Sequence, residues 1–279
     1  TNLLNKFLKM WNWLINEAWI NQIMNIDVFV LARLGSSRLP KKHFKNIGEK
    51  LVIDHLIHRI KKAKKIRKII ICTTELKSDD ELVEYLKKRN IEVFRGNNKD
   101  VIKRIQDAAE YFKTDVIIDV EGDKIYTDPK YIDVIADKFQ KSQVEYITGN
   151  DSLTKFNPSH GIHGVIPAGF HISAIKKMYR LKKVENTETG YREFFLRDEF
   201  NVEYIIPEFI NRFPKGIRLF LDYQEDLQMA REIFKEIGND FDTNSLLKFL
   251  EKKPGLLKII EPVIELWKKN YELEKTDLK

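Results

Sequence analysis

A short, largely apolar run that stops on a basic loop of small residues constrains this chain more than any other stretch. Ile26 to Leu31, IDVFVL, is followed by Ala32-Arg33-Leu34-Gly35-Ser36-Ser37-Arg38-Leu39-Pro40-Lys41-Lys42. A run of that length and makeup suits a strand buried on both faces of a parallel sheet. Gly35 is expected to let the backbone turn tightly, with Ser36 and Ser37 adding hydroxyl donors. Backbone N–H groups gathered at such a turn bind anions. Arg38 adds a guanidinium fork, and Lys41 and Lys42 add point charges. One reading is a polyphosphate cradle at the C-terminal end of the first strand of an open α/β sheet, where such sheets bind ligands. A surface turn with a solvated basic run fits the same residues equally well.

The rest of the chain alternates in kind. Strand-like runs occupy Lys68–Thr74, Ile91–Gly96, Asp115–Asp123, Val144–Gly149, Val165–Ile172 and Gly216–Asp222. Helical patterns occupy Leu51–Lys64, Glu81–Lys88, 129–140, Ser173–Leu181, Leu227–Ile237, Phe241–Lys253 and Pro254–Tyr271. That alternation predicts an α/β domain with a mostly parallel sheet. The expected divisions are an N-terminal amphipathic extension over 1–24, a main domain over 25–240, and a helical pair over 241–279 packed on it. In the extension, Leu4, Phe7, Leu8, Trp11, Leu14, Ile15 and Trp19 recur at helical spacing. It reads as a flanking helix, an oligomer contact or a junction. The chain opens on Thr1 and not on Met, so fusion to an upstream domain stays open, as does a homodimer.

Charge narrows the partners. Lys and Arg total 49 against 42 acidic residues, a net charge of +7. That bias suits anionic ligands. No nucleic-acid motif is visible, so no nucleic-acid partner is expected and nucleotide phosphates are the economical explanation. Cys72 is the single cysteine, which excludes a disulfide framework and fits a reducing cytoplasm. At the end of an apolar run it reads as a packing thiol. No uncharged apolar stretch of about 18 residues occurs, so no transmembrane helix is expected.

Two further strand tips carry carboxylates. The run VIID-VE ends on Gly122-Asp123, and GIRLF-L ends on Asp222. A metal-bound triphosphate needs such carboxylates, because Mg²⁺ takes one or two of them and completes its shell with phosphate and water. Asp123 and Asp222 are therefore the expected metal ligands, while Glu225 and Asp226 complement a helix N-terminus. Asp128 before Pro129 reads as a helix N-cap. Thr73 and Thr74 end the second strand, and Ser78 to Glu81 resemble a helix start. His160 and His163 stand three apart with no clear third ligand, so they are not expected to form a metal pair. Arg95, Arg104, Arg192, Arg197 and Arg212 are candidate anion holders, with surface ion pairs as the alternative.

Together these stretches resemble the cytidylyltransferases that make CMP-activated acidic sugars, most of all the spore-coat polysaccharide biosynthesis branch. The resemblance rests on A-R-L-G-S-S-R-L-P-x-K, on Arg95-Gly96 followed by Val101 and Arg104, on Gly122-Asp123 with Asp128-Pro129, on Arg192-Glu193, and on R-L-x-L-D-x-x-E-D-L from Arg218. It covers roughly Asn25 to Pro262. Three departures stand out: Lys41 where the family has Gly, Lys124 and Tyr126 after the Gly-Asp, and Phe194 for a histidine. The resemblance implies a three-layer α/β/α nucleotide-diphosphate-sugar transferase fold of Rossmann-like type. It implies transfer of CMP from CTP to an anionic acceptor (an acidic sugar, phosphonate or phosphate monoester) with release of pyrophosphate and with Mg²⁺ as cofactor. Arg38, Lys42, Asp123 and Asp222 would be catalytic. Leu31, Ala32, Arg33, Gly35, Ser36, Thr73, Arg95 and Gly122 would bind the nucleotide, and His160, His163, Arg192 and Arg197 the acceptor. Two rivals are a glycosyltransferase on a related fold and a non-catalytic nucleotide-binding or scaffold domain. The glycosyltransferase would want an Asp-x-Asp metal motif, and the chain is read as containing none.

Overall fold

The computed structural model describes residues 23–149, 164–206 and 217–275, together with Asn5, Arg212 and Pro214. The Trp-rich extension and the pair His160 and His163 lie outside the described residues. The strands are β1 (Ile26–Leu31), β2 (Asn46–Ile47), β3 (Lys50–Leu51), β4 (Lys68–Thr74), β5 (Glu92–Gly96), β6 (Val116–Glu121), β7 (Tyr146–Gly149), β8 (Ala168–His171) and β9 (Val202–Ile205). Seven of them form one sheet in the order β5-β4-β1-β6-β8-β7-β9, and β2 and β3 make a separate hairpin. Pairing is parallel throughout the large sheet except at β8, which runs antiparallel to β6 and β7.

Successive strand residues point to opposite faces. Val28 and Val30 of β1 enter one core while Phe29 enters the other, and Ile118 and Val120 of β6 oppose Ile117 in the same way. Both faces are covered, which is why these runs are almost continuously apolar. Helices Val52–Ile60, Asp80–Lys87, Pro129–Lys141, Gln224–Ile237 and Thr243–Lys252 cover the first face. Helices Val101–Phe112 and Ile172–Leu181 and the 3-10 segment Tyr191–Leu196 cover the second. The three-layer α/β/α expectation holds.

Chain order places the ligand crevice. β4 follows β1 on one side, whereas β6 lies on its other side. The winding therefore reverses at β1 and β6, and open α/β sheets bind ligands beyond the strand ends at such a switch. The loop after β6 is fixed from below by buried Arg59. Its guanidinium donates to the carbonyls of Thr127 at 3.1 Å, Asn239 at 2.7 Å and Phe241 at 3.1 Å. Asp128 caps helix Pro129–Lys141, accepting from the Lys130 N–H at 2.9 Å, and also accepts from the Thr243 N–H at 2.9 Å.

One expected strand is corrected. Gly216–Asp222 forms no strand among its described residues beyond a single bridge at Ile217. Its N–H groups go elsewhere. Leu221 donates to the Asp123 carbonyl at 3.0 Å. Asp222 and Tyr223 both donate to the Asp226 carboxylate at 2.9 Å. A local side-chain acceptor thus competes successfully with a ladder. The segment still arrives where a strand tip would, because the Leu221–Asp123 bond ties it to the end of β6.

Candidate active site

The loop from Ala32 to Lys42 is held from beneath by a buried carboxylate. Asp79 accepts from the Leu34 N–H at 2.7 Å and from the Thr73 hydroxyl at 3.0 Å, and it also takes the Thr74 hydroxyl. Asp79 sits at the start of helix Asp80–Lys87 but makes no capping bond there. Thr73 is wholly buried in this network and does not line the cleft, so its expected role at the nucleotide becomes support of the loop. Arg95 is likewise turned away. Its guanidinium donates to the carbonyls of Thr74 at 3.0 Å and Leu76 at 2.9 Å and pairs with Asp80 at 2.7 Å.

Gly35 does not serve the tight turn expected of it. Its φ is not positive, and a Cβ there would meet nothing within 4 Å. The left-handed residue of this loop is Lys41, at φ 51° and ψ 37°. The loop has kept a conformation that glycine adopts freely and that costs an L-residue roughly 1–2 kcal/mol. At Gly122 space is decisive: a Cβ would stand 2.7 Å from the His43 ring and 3.0 Å from the Leu31 carbonyl oxygen.

The loop after β1, the end of β6 and the Asp222 loop converge on Lys42. Its ammonium donates to Asp123 Oδ2 at 2.8 Å, to Asp222 Oδ1 at 3.1 Å and to the Leu221 carbonyl at 3.0 Å. These three bonds use all the donors an ammonium has. Arg38 adds a contact to Asp222 at 3.3 Å and another to Glu274 at 3.0 Å. Burial would strip Lys42 of its proton, but the two carboxylates outweigh it and hold its pKa above the usual lysine value. Burial would also raise the Asp222 carboxyl, yet Lys42, Arg38 and Arg218 hold it well below the usual range. Burial pushes the Asp123 carboxyl up, Lys42 pulls it back, and Asp222 and Glu121 add to the rise. Asp123 Oδ1 is buried without a hydrogen-bond partner among the described residues.

These groups open into a cleft of about 300 Å³. Its lining includes Leu31, Ala32, Arg33, Gly35, Ser36, Arg38, Lys42, Gly122, Asp123, Arg192 and Asp222 from the sequence expectations, and Arg104 besides. Arg33 pairs with Glu188 across the rim. Arg192 donates to Asp119 Oδ2 at 2.9 Å and to the Asp119 carbonyl at 3.0 Å, with Glu121 at 3.7 Å. Besides Arg95, two more expected anion holders stand outside. Exposed Arg197 pairs with Glu199, two residues on, and Arg212 pairs with Glu251 at 2.9 Å.

Several residues in or under the cleft had no role assigned from the sequence. His43 lies under the cleft floor, and burial, with Lys42 adding to it, lowers its pKa to about 3. Asp119 carries Arg192 and the Tyr191 hydroxyl. Its signal was available, since a carboxylate inside an apolar strand must find a partner. Lys124 pairs with Glu121 at 2.5 Å. Trp267, Tyr271 and Glu274 come from the last helix, Leu257–Glu274, and nothing local marks them as cleft residues.

An Asp-x-Asp triplet does occur, Asp240-Phe241-Asp242. It is not among the cleft residues: Asp240 meets His58 at 2.6 Å, and Asp242 caps helix Thr243–Lys252 through the Ser245 N–H at 2.7 Å. Among the described residues no three His, Cys, Asp or Glu side chains are grouped to hold a metal, and no helix is long and apolar enough to cross a membrane.

Known proteins resemble this chain over most of its length. The chain is 30% identical over 240 residues to the uncharacterized protein MJ1063 of Methanocaldococcus jannaschii, covering 85% of this chain and 94% of that one. It is 26% identical over 241 residues to the spore coat polysaccharide biosynthesis protein SpsF of Bacillus subtilis, covering 83% and 96%. Among solved structures, a cytidylyltransferase from Leptospira borgpetersenii superposes with a TM-score of 0.74 at 25% identity, over 84% of this chain and 97% of that one. CMP:2-keto-3-deoxy-manno-octonic acid synthetase, solved with CTP, shares the fold with a TM-score of 0.60 at 14% identity, over 76% and 99%. The sequence model described as Cytidylyltransferase matches residues 28–252, from β1 through the helix that follows Asp242, and the chain belongs to that family.

Proposed function

We propose that this protein transfers CMP from CTP to a small anionic acceptor and releases pyrophosphate. The observation that carries the proposal is the meeting of Lys42 and Arg38 with Asp123 and Asp222 at the switch point of the sheet. An acceptor oxygen attacks the α-phosphorus of CTP. The new O–P bond forms as the bond from the α-phosphorus to the oxygen bridging it to the β-phosphate breaks; pyrophosphate leaves, and where the attacking oxygen is a hydroxyl its proton passes to solvent. Such chemistry depends on positioning and charge more than on covalent help.

The residues suit a divalent cation. Asp123 and Asp222 offer hard carboxylate oxygens, and Asp123 Oδ1 has no hydrogen-bond partner among the described residues. Magnesium held there would supply positive charge to the phosphate oxygens. Arg33, Arg38 and Lys42 would take the β- and γ-phosphates as the leaving group gains charge. Lys42 must then give up at least one of its present bonds. Leu31, Ala32, Gly35 and Ser36 would face the nucleotide, and Arg192 the anionic group of the acceptor.

The test is pyrophosphate release from CTP with Mg²⁺ and a panel of acceptors. Asp123→Asn and Asp222→Asn should each lower kcat by roughly a hundredfold, about 3 kcal/mol in the barrier, by analogy with a lost transition-state contact. Full activity in both variants would defeat the metal assignment. A thermal-shift series of CTP, ATP, GTP and UTP tests the nucleotide separately; indifference to all four would defeat the proposal.

A further inference from the structure

The edge of the sheet opposite the cleft gathers cations. β5, β4, β1 and β6 lie side by side and run parallel, so their first residues share one edge while the cleft occupies the other. Helices Val52–Ile60, Asp80–Lys87 and Val101–Phe112 lead back to the start of β4, β5 and β6 and end at that edge. Between the first of them and β4, Lys61 to Lys68 holds six cations in eight residues and no acid. Lys87, Lys88 and Arg89 precede β5, and Lys113 precedes β6. Contacts join these segments into one surface. Arg67 donates to the Phe112 carbonyl at 2.8 Å, and the Asn25 amide donates to the Lys113 carbonyl at 2.9 Å.

The carboxylates at this edge are already engaged. Asp27 holds Arg67, Glu92 holds Lys68 at 2.9 Å, and Asp137 and Asp240 hold Lys65 and Lys62. Asp115 accepts from the Asn25 N–H at 2.8 Å, and Asp133 from the N–H groups of Lys64 at 2.8 Å and Lys65 at 2.9 Å. Lys61, Lys64, Lys87, Lys88 and Lys113 are left exposed and without a salt bridge among the described residues. A cation at a helix C-terminus complements its dipole, but three helix ends account for three lysines and not for five. Unpaired like charges spread along one edge suit a broad anionic surface that can meet all of them.

Two features choose the kind of surface. Tyr111, 73% exposed, stands beside Lys113. β1 starts in the middle of this edge, and the sequence that leads into it carries Trp11, Trp13 and Trp19 among Leu4, Phe7, Leu8, Leu14 and Ile15. Aromatic residues beside lysines are the composition of a bilayer interface. The arginines, which read nucleic-acid phosphates and bases best, are not free here: Arg67 is held by Asp27, and Arg89 by Asp54 at 3.5 Å. We propose that this edge docks the protein on a bilayer surface containing anionic phospholipid, with the cleft turned toward solution. The proposal concerns a face that the nucleotidyl-transfer reading does not use, and it stands or falls separately from it.

The test is co-sedimentation of the full chain with vesicles of phosphatidylcholine alone and of phosphatidylcholine with about one-third phosphatidylserine, at roughly 0.1 M and 0.5 M salt. Wild type should bind the charged vesicles at least about tenfold more tightly than the neutral ones, and the difference should fade at the higher salt. A lysine near an anionic leaflet is worth about fivefold in binding. The triple variant Lys64→Gln, Lys87→Gln, Lys88→Gln should therefore bind the charged vesicles about a hundredfold more weakly. Its melting temperature should stay that of wild type, because none of the three makes a salt bridge. The matching triple Lys→Arg variant should bind like wild type. Equal binding to the two vesicles, an undiminished affinity in the folded Gln variant, or retention on duplex DNA or RNA with no vesicle binding at the same salt overturns the proposal.

Discussion

Replacing Lys42 with Met removes one charge and little volume, and its consequences can be worked through. Lys42, Asp123 and Asp222 keep side-chain exposures of 12%, 19% and 5%. Removing one partner of a buried ion pair costs about 3–5 kcal/mol, because the other is left buried and uncompensated. Partial exposure puts this site at the low end, about 3 kcal/mol. The sign of the pH dependence follows. In the wild type the Asp222 carboxyl is held well below the usual range, because Lys42, Arg38 and Arg218 outweigh its burial. Without Lys42, burial and the facing carboxylate raise both aspartates above their unfolded values. A group with a raised folded pKa costs stability as pH rises, so the deficit should shrink on acidification. Each pH unit over which the folded variant binds one proton more than the unfolded chain returns about 1.4 kcal/mol. Urea denaturation of both proteins at pH 7 and pH 5, without divalent metal, measures this. A variant within about 1 kcal/mol of wild type at pH 7, or a deficit that grows at pH 5, would refute the reasoning.

Three more outcomes are expected. His43 is buried with its pKa lowered to about 3, so the unfolded chain binds more protons below about pH 6.5 and stability falls as pH falls; His43→Asn should remove about 1.4 kcal/mol per pH unit of that slope between roughly pH 6 and 4.5, read from urea midpoints, and an unchanged slope counts against the assignment. Lys41→Gly relieves the left-handed residue at φ 51° and should raise stability by about 0.5–1 kcal/mol after the added chain entropy; a lower urea midpoint would contradict the strain argument. Glu274→Gln frees Arg38 from a half-exposed pair, so CTP should bind about two- to fivefold tighter; calorimetric titration showing weaker binding would mean that Glu274 positions Arg38 for the nucleotide.

Particular residues show what could be read in advance. The Arg38–Lys42 turn, Gly122-Asp123 and Asp222 were legible because each is a local signal, a charged group just past an apolar run. Thr73 and Arg95 sit at the expected height on the sheet, yet both side chains bind loops. Their composition could not reveal this, since loop N–H and carbonyl groups choose partners only once the chain is folded. Gly35 and Lys41 exchanged expectations for the same reason: residue type states which backbone conformations are cheap, not which residue will occupy them.

Taken alone, the order of residues determined the layered α/β architecture and the height at which each carboxylate and cation emerges, because strand and helix periods are properties of short segments. Tertiary structure alone decided that one lysine joins Asp123 to Asp222, that Arg192 rests on Asp119, and that the last helix lays Trp267 and Tyr271 against the cleft. Arg38 and Glu274 are 236 residues apart. Contacts of that kind depend on how whole elements pack, and no local window of sequence contains both partners.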